Sequence, residues 1–177
     1  MASNIADRAV SRPRSGWLQG PTEADLGLLF LRTFLGVIFI AHGSQKLFGW
    51  FGGYGLSGTA KFFESVGYAP GKLLVLFSGL VEFGGGILLI IGLGVSVVGA
   101  GLVADMTGAV LTMHAAGVGK FFSSQGGHEL ELTLLAASFA LTLVGAGAVS
   151  VDHGRPWAVA RFPVQQVMVG RVMYQLP

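Results

Sequence analysis

The run of residues 26–53, LGLLFLRTFLGVIFIAHGSQKLFGWFGG, most constrains how this chain can fold. It is long and apolar enough to cross a bilayer, and yet it carries Arg32, His42 and Lys46. At about 100° per residue, these three basic side chains fall within one helical stripe of roughly 120° that also holds two glycines. Because basic groups cost roughly 2.5–3.5 kcal/mol each inside a membrane, the stripe predicts polar partners on other helices of the same bundle.

The composition supports a membrane protein and excludes several classes of chemistry. Of the 177 residues, 52% are hydrophobic and 11% are charged, whereas soluble domains have about 25% charged residues. No basic cluster forms a phosphate-binding face, so nucleic acid is not expected as a partner. Cysteine is absent, which removes disulfides, thiolate catalysis and thiolate metal ligands. The four histidines are too dispersed to predict a metal site.

The apolar pattern predicts an all-α integral membrane protein, a bundle of four spanning helices. These helices are expected at about 26–49, 72–93, 95–117 and 129–150. They form a core domain over residues 25–152, between a flexible tail, residues 1–24, and an interfacial or partner-binding tail, residues 153–177. The polar start of the chain lacks the apolar core of a cleavable signal peptide, so we interpret the first span as an uncleaved signal-anchor.

The distribution of basic residues predicts the orientation of the bundle. Four spans place both tails on one side of the membrane; the tails hold six arginines, whereas the two long loops hold Lys61, Lys72 and Lys120. The positive-inside rule then predicts cytoplasmic tails and external loops. In the first loop, a short amphipathic helix over residues 58–66 is expected to present Phe62, Phe63 and Val66 to the membrane surface.

The buried charges are expected to pair with one another, because lone charges are costly in hydrocarbon. At about 1.5 Å rise per residue, Glu82 and Asp105 lie near the midplane. By the same measure, Lys46 and Glu131 lie near the outer surface. The simplest matching joins Lys46 with Glu131, His42 with Glu82, and Arg32 with Asp105 or Glu82.

Two interpretations of these polar residues are open. Either the ion pairs only fix the register of the helices, or they line a pocket that binds a ligand headgroup or relays protons. His42 is the best ligand candidate, because a neutral imidazole can donate to a quinone oxygen and exchange a proton near neutral pH. The pocket candidates are His42, Lys46, Glu82, Glu131 and Trp50.

Several motifs along residues 25–152 carry a resemblance to a known family. They include Arg32, HGSQKLFGWFGG at 42–53, GTAKFF at 58–63, Glu82 with Gly85 and Gly86, His114 with Phe121 and Phe122, and Gly145 with Gly147, Ser150 and Asp152. In these motifs the chain resembles the DoxX family of small four-helix bacterial membrane proteins. Asp105 and the two tails lie outside the pattern shared with the family.

The resemblance implies a multi-pass protein of the bacterial plasma membrane that serves as a subunit of an oxidoreductase assembly. Relatives include the membrane subunit of a thiosulfate:quinone oxidoreductase, and mycobacterial members are linked to a complex with a superoxide dismutase and a sulfurtransferase. The implied partners are membrane lipids, other subunits and a quinone, and a homo-oligomer is left open.

The chain has no evident electron carrier of its own, so it would not be a complete enzyme alone, and no catalytic residue is assigned. The alternative is a non-catalytic accessory subunit that stabilises a larger membrane complex. A path for a solute or protons through the polar interior is a third possibility, although four helices enclose little space.

Overall fold

The computed structural model describes residues 21–117 and 120–153, and this part of the chain is all-helical, without strands. Two short 3-10 turns, Trp50–Gly52 and Ser123–Gln125, lie in the connections. The α-helices are α1 (Glu23–Phe48), α2 (Gly55–Ser65), α3 (Gly71–Ile91), α4 (Val95–Ala115) and α5 (Glu129–Val144). The predicted all-α class is confirmed.

Three of the described helices, α1, α3 and α4, are long and apolar enough to cross a membrane, with 26, 21 and 21 residues. They correspond to the first three predicted spans. The fourth, α5, has 16 residues and ends at Val144, short of the predicted end near residue 150. It ends there because Gly145 adopts φ 81° and ψ −161°, far from helical values. The fourth span stays a prediction.

The first helix begins earlier than the apolar pattern predicts because its start is capped. The backbone N–H of Asp25 donates to the hydroxyl of Thr22, and the backbone N–H of Thr22 donates to the Asp25 carboxylate at 2.9 Å. This reciprocal capping satisfies N–H groups that otherwise have no partner in the first turn. Most of the two predicted tails, residues 1–20 and 154–177, lies outside the described residues.

Glycines allow α1 to lie close along α3. A Cβ on Gly36 would lie 2.6 Å from the backbone oxygen of Gly86, and a Cβ on Gly43 would lie 2.5 Å from the backbone nitrogen of Phe83. Any larger residue would push these helices apart, which is why small residues mark helix contacts in membranes. On the other side of the bundle α4 lies along α5, where Gly99 approaches the backbone of α5.

The bundle has a buried apolar core and an apolar outer surface. The core includes Leu35, Phe39, Leu89, Leu102 and Leu141. Large apolar side chains are also exposed along the spanning helices, among them Phe30, Phe34, Phe77 and Val97. An outer surface this apolar is suited to hydrocarbon rather than water, so these helices contact membrane lipid.

The amphipathic helix predicted in the first loop is α2, and it folds back over one end of the bundle. Ala60 is buried against the start of α3, and the Glu64 carboxylate accepts a hydrogen bond from the backbone N–H of Gly71 at 3.2 Å. Phe62 is 42% exposed, whereas Phe63 is half-buried. The helix therefore covers the region where the polar stripe of α1 ends.

Candidate functional site

Arg32 lies at one end of the bundle and binds backbone carbonyls. Its side chain is buried, and Nη1 donates to the carbonyl oxygens of Leu89 and Ile90, both at 3.0 Å. Nη2 donates to the carbonyl oxygen of Val149. Two of these carbonyls close the last turn of α3, where a cation also interacts favourably with the helix dipole. These contacts replace the predicted pairing of Arg32 with Asp105 or Glu82.

Two carboxylates at the same end also bind backbone. The Asp152 carboxylate accepts hydrogen bonds from the N–H groups of Gly94 and Val95, at 3.0 and 3.1 Å, and so caps α4 from a distance. Asp25 accepts a hydrogen bond from the N–H of Ala148 at 2.7 Å. Together with Arg32, these contacts hold residues 145–153 against the bundle. We call Asp25, Arg32 and Asp152 the backbone clamp.

Sequence reasoning did not assign a role to Asp152, although one signal pointed to it. The chain enters α4 directly from the turn Gly92-Leu93-Gly94, and Gly94 provides no side chain to cap the helix. A helix that begins without a Ser, Thr, Asp or Asn cap needs another acceptor for its first N–H groups. The glycine turn therefore predicts a remote cap but does not say which residue provides it.

Lys46 lies at the other end of the stripe and pairs with side chains of α3. Its Nζ is 2.9 Å from Oε1 of Glu82 and donates to the Ser78 hydroxyl at 2.8 Å. Glu82 is 2% exposed. The structure therefore joins Lys46 to Glu82, in place of the predicted pairs of Lys46 with Glu131 and His42 with Glu82. His42, one turn earlier, interacts electrostatically with Lys46 and Glu131.

Asp105 of α4 completes this cluster. Its carboxyl lies against the side chains of Glu82 and Ser78 and interacts electrostatically with Lys46. Two ionised carboxylates can only accept hydrogen bonds from each other's neighbours, not donate them. With both carboxyls ionised, Oε2 of Glu82 and Oδ2 of Asp105 are therefore buried without a hydrogen-bond partner. A proton shared between the two carboxyls, or a donor from outside the cluster, would satisfy them.

An open cavity of about 190 Å³ lies beside the cluster and is lined by residues of all five helices, α3 contributing Glu82. Its polar lining consists of His42, Lys46, Glu82, Glu131, Thr59 and Thr112, and its apolar lining includes Phe62, Phe63 and Met106. Oε2 of Glu131 is also buried without a hydrogen-bond partner. We call this cavity the polar pocket.

The structure brings four of the five predicted pocket residues together and separates the fifth. Trp50 lies in the 3-10 turn after α1, is 56% exposed and packs on Phe48, with 4.9 Å between the ring centroids. It does not line the polar pocket. Sequence reasoning missed Thr59 and Thr112, because a threonine in a glycine-rich helix gives no distinctive signal.

Apolar helices that contact lipid, together with buried ionisable groups around an open cavity, define an integral membrane protein with an internal polar site. In the described part of the chain, no group of three or more His, Asp or Glu side chains is arranged to hold a metal ion. Buried charge within a membrane span marks a functional site more often than a structural one.

Comparison with known proteins assigns the family. Residues 27–115, just over half of the chain, match the sequence model of DoxX, and the chain belongs to the DoxX family. Over 128 residues it is 30% identical to the protein named "Putative oxidoreductase CatD" of Bacillus subtilis (strain 168), a match that covers 72% of this chain and 86% of that protein. No solved structure matches the chain.

Proposed function

We propose that this DoxX protein is a membrane subunit of an oxidoreductase assembly in the bacterial plasma membrane, and that the polar pocket holds the headgroup of a quinone. One observation supports this most strongly. Glu82 is almost wholly buried at the wall of an open cavity, paired with Lys46 through one oxygen and without a donor at the other. Buried polar groups in folded proteins are normally satisfied, so this oxygen is expected to accept from a hydroxyl of the reduced quinone or to share a proton with Asp105.

The hydrogen-bonding groups of the polar pocket suit both oxidation states of a quinone. The Lys46 ammonium has three N–H donors, and its contacts with Glu82 and Ser78 use two of them. The third can donate to a quinone carbonyl oxygen. The unpaired oxygens of Glu82 and Glu131 can accept from the hydroxyl groups of the reduced form.

The same residues can hold and move protons. A bound quinone supplies two-electron chemistry coupled to two protons. Two carboxyl groups in contact, such as Glu82 and Asp105, resist double ionisation and therefore tend to share a proton. His42 interacts electrostatically with Lys46 and Glu131, and an imidazole nitrogen can accept or donate a proton. The electrons would come from a partner subunit, because the chain has no cysteine and no evident carrier.

We further propose that α5 is the fourth span and that both tails are cytoplasmic. At about 1.5 Å per residue, a 16-residue helix covers about 24 Å of a hydrocarbon core of about 30 Å. Residues 145–153, which the backbone clamp holds against the bundle, would complete the crossing. The clamp then lies at the cytoplasmic end and the polar pocket in the outer half.

The cysteine-free sequence makes this orientation simple to test with single-cysteine variants. Lys61→Cys on α2 is expected to react with a membrane-impermeant maleimide in intact cells. Glu23→Cys at the start of α1 is expected to react only after permeabilisation. The reverse pattern, or labelling of both from outside, would contradict the proposed orientation.

The quinone site is tested by binding of menadione, a naphthoquinone without an isoprenoid tail, to protein in nanodiscs. Loss of a hydrogen bond within a buried site costs about 1–2 kcal/mol, so His42→Ala is expected to raise the dissociation constant about tenfold. His114→Ala is the matched control, because His114 is exposed near the end of α4 and does not line the polar pocket. The proposal fails if wild type does not bind menadione, or if His42→Ala binds it as wild type does.

A second candidate is a non-catalytic accessory subunit that packs against a larger complex. The small residues Ala100, Ala104 and Gly108 of α4 are exposed at spacings of four, and such a ridge allows a helix to approach closely. Mild-detergent purification with mass spectrometry of co-purified proteins separates the two candidates. Stoichiometric partners whose activity does not change when His42 or Glu82 is substituted favour the accessory role.

A further inference from the structure

A second cavity, of about 350 Å³, lies on the lipid-facing side of α3 and α4. We call it the α3–α4 groove. Its lining is mostly apolar, with Lys46, Ser78 and Asp105 where it meets the polar cluster, and small residues of α4 form part of its wall. The residues that define it are Leu74, Phe77 and Val81 of α3 with Gly101, Ala104 and Gly108 of α4. Phe77 at its edge is 71% exposed, so the groove is open toward the surrounding hydrocarbon.

The groove adjoins the polar pocket. Four residues line both cavities, namely Lys46 of α1, Phe63 of α2, and Ala109 and Thr112 of α4. On the pocket side of this boundary lie His42, Glu82 and Glu131. On the groove side, Asp105 and Ser78 are polar and nearly all other lining residues are apolar. A polar cavity thus continues into an apolar one along α4.

We infer that the α3–α4 groove holds the apolar isoprenoid tail of the same quinone whose headgroup lies in the polar pocket; this rests on the function proposed above. Pockets that enclose a drug-sized ligand measure about 300–1,000 Å³. The polar pocket, at about 190 Å³, falls below that range and can hold a headgroup but not a whole amphiphile. The groove supplies the missing apolar volume at the correct position.

Continuity with the polar pocket favours a ligand tail over a helix of another protein chain. A helix about 10–12 Å across would cover the mouth of the groove but would not reach past Phe63 to the pocket. A narrow chain attached to a headgroup at Glu82 has to leave the pocket along some path. The groove is an apolar path that begins at the pocket boundary and opens to lipid.

The tail gains little from the hydrophobic effect in the groove, because it is already in an apolar environment when it lies in the bilayer. The main effect of the tail is to orient the headgroup, so that the quinone oxygens face Lys46 and Glu82. Because an oriented headgroup loses less freedom on binding, a tailed quinone is expected to bind more tightly than menadione. Blocking the groove is expected to affect the tailed quinone alone.

Gly108→Leu tests this inference. A Cβ at Gly108 meets nothing within 4 Å, so a side chain there starts in open space and is expected to fill part of the groove. Gly84→Leu on α3 is the matched control, because a Cβ there also meets nothing within 4 Å and Gly84 lines neither cavity. Dissociation constants for menaquinone and menadione are measured for both variants and wild type in nanodiscs, together with oligomeric state.

We expect Gly108→Leu to weaken menaquinone binding about tenfold, leave menadione binding within about twofold, and match Gly84→Leu in stability. Equal binding of menaquinone by both leucine variants would overturn the tail site while leaving the headgroup site intact. A change from dimer to monomer in Gly108→Leu would show that a second copy covers the groove and would also overturn the inference. If wild type binds neither quinone, the proposed function fails, and the tail site fails with it.

Discussion

The two ends of α1 use buried charge in different ways. In the backbone clamp, Arg32, Asp152 and Asp25 hydrogen-bond to main-chain groups at the ends of α3 and α4 and in residues 145–153. At the polar pocket, Lys46 and Glu82 bind each other, and carboxylate oxygens are left without donors beside an open cavity. The clamp end is closed by backbone contacts, and there Nε of Arg32 is left without a hydrogen-bond partner. The pocket end has an open cavity that can take a ligand.

The comparison shows that a shared helical stripe does not imply a shared role. Arg32 and Lys46 lie on the same face of α1 and carry the same charge. Arg32 meets the end of α3, where carbonyls without helical partners need donors. Lys46 meets the middle of α3, where all carbonyls are used within the helix and only side chains such as Glu82 and Ser78 can accept. Depth along the neighbouring helix therefore decides what each cation does.

The largest expected effect on stability comes from Arg32→Met. This substitution removes the donor from the carbonyls of Ile90 and Val149 and leaves the Leu89 carbonyl only the N–H of Gly92, and we expect a loss of roughly 4 kcal/mol in the free energy of unfolding. The measurement is reversible unfolding in denaturing detergent. Arg32→Lys should recover only part of the loss, because an ammonium lacks the planar fork that reaches several carbonyls at once. Full recovery by lysine would contradict the clamp geometry.

A somewhat smaller loss, about 3 kcal/mol, is expected for Lys46→Met, because it leaves the Glu82 carboxylate buried without its cation. The double variant Lys46→Met with Glu82→Gln removes both charges and should regain most of this stability. Menadione binding should stay weak in both variants, because both lack the Lys46 donor. The double variant therefore distinguishes the effect of the ion pair on stability from the effect of Lys46 on ligand binding.

The control for the Lys46 variants is Lys72→Met, since Lys72 is exposed at the start of α3. This substitution should change neither the free energy of unfolding nor menadione binding. If the double variant recovers no stability, the contributions of Lys46 and Glu82 to stability are independent. That result would contradict the view that each residue is stabilised mainly by the other.

The smallest expected effect is that of Asp152→Ala, about 1 kcal/mol, which is typical of losing a helix cap. Thermal unfolding in detergent measures it. Asp152→Asn should lose less, because the asparagine side-chain oxygen can still accept one of the two N–H donors. Menadione binding should be unchanged in both variants, because Asp152 lies in the clamp. A binding defect would show that the two ends are coupled.

Much of the fold could be predicted from the sequence. The apolar runs and glycine turns indicate the spans that became α1, α3 and α4, because hydrocarbon imposes a simple length and composition rule. The end of α5 could not be predicted, since Gly145 stops the helix while the apolar pattern runs on to Val149.

The composition of the site was easier to predict than its partners. A helical wheel places His42 and Lys46 on one face, and depth brings Glu82 and Glu131 near them. Wheel and depth do not include the backbone, so they could not predict that Arg32 binds the carbonyls of α3 and frees Glu82 for Lys46. They also could not place Trp50, whose 3-10 turn carries it away from the polar pocket.

The most direct test of the division between clamp and pocket is anaerobic binding of menadiol, the reduced form of menadione, to Glu82→Gln in nanodiscs, measured beside the melting temperature of the variant. A charged hydrogen-bond acceptor in a buried site contributes about 1.5–3 kcal/mol, so we predict a dissociation constant at least about tenfold above that of wild type. The exposed Glu23→Gln is the matched control. If Glu82→Gln binds menadiol as tightly as wild type and only its melting temperature falls, Glu82 is a structural residue like Arg32 and the polar pocket is not a quinone site.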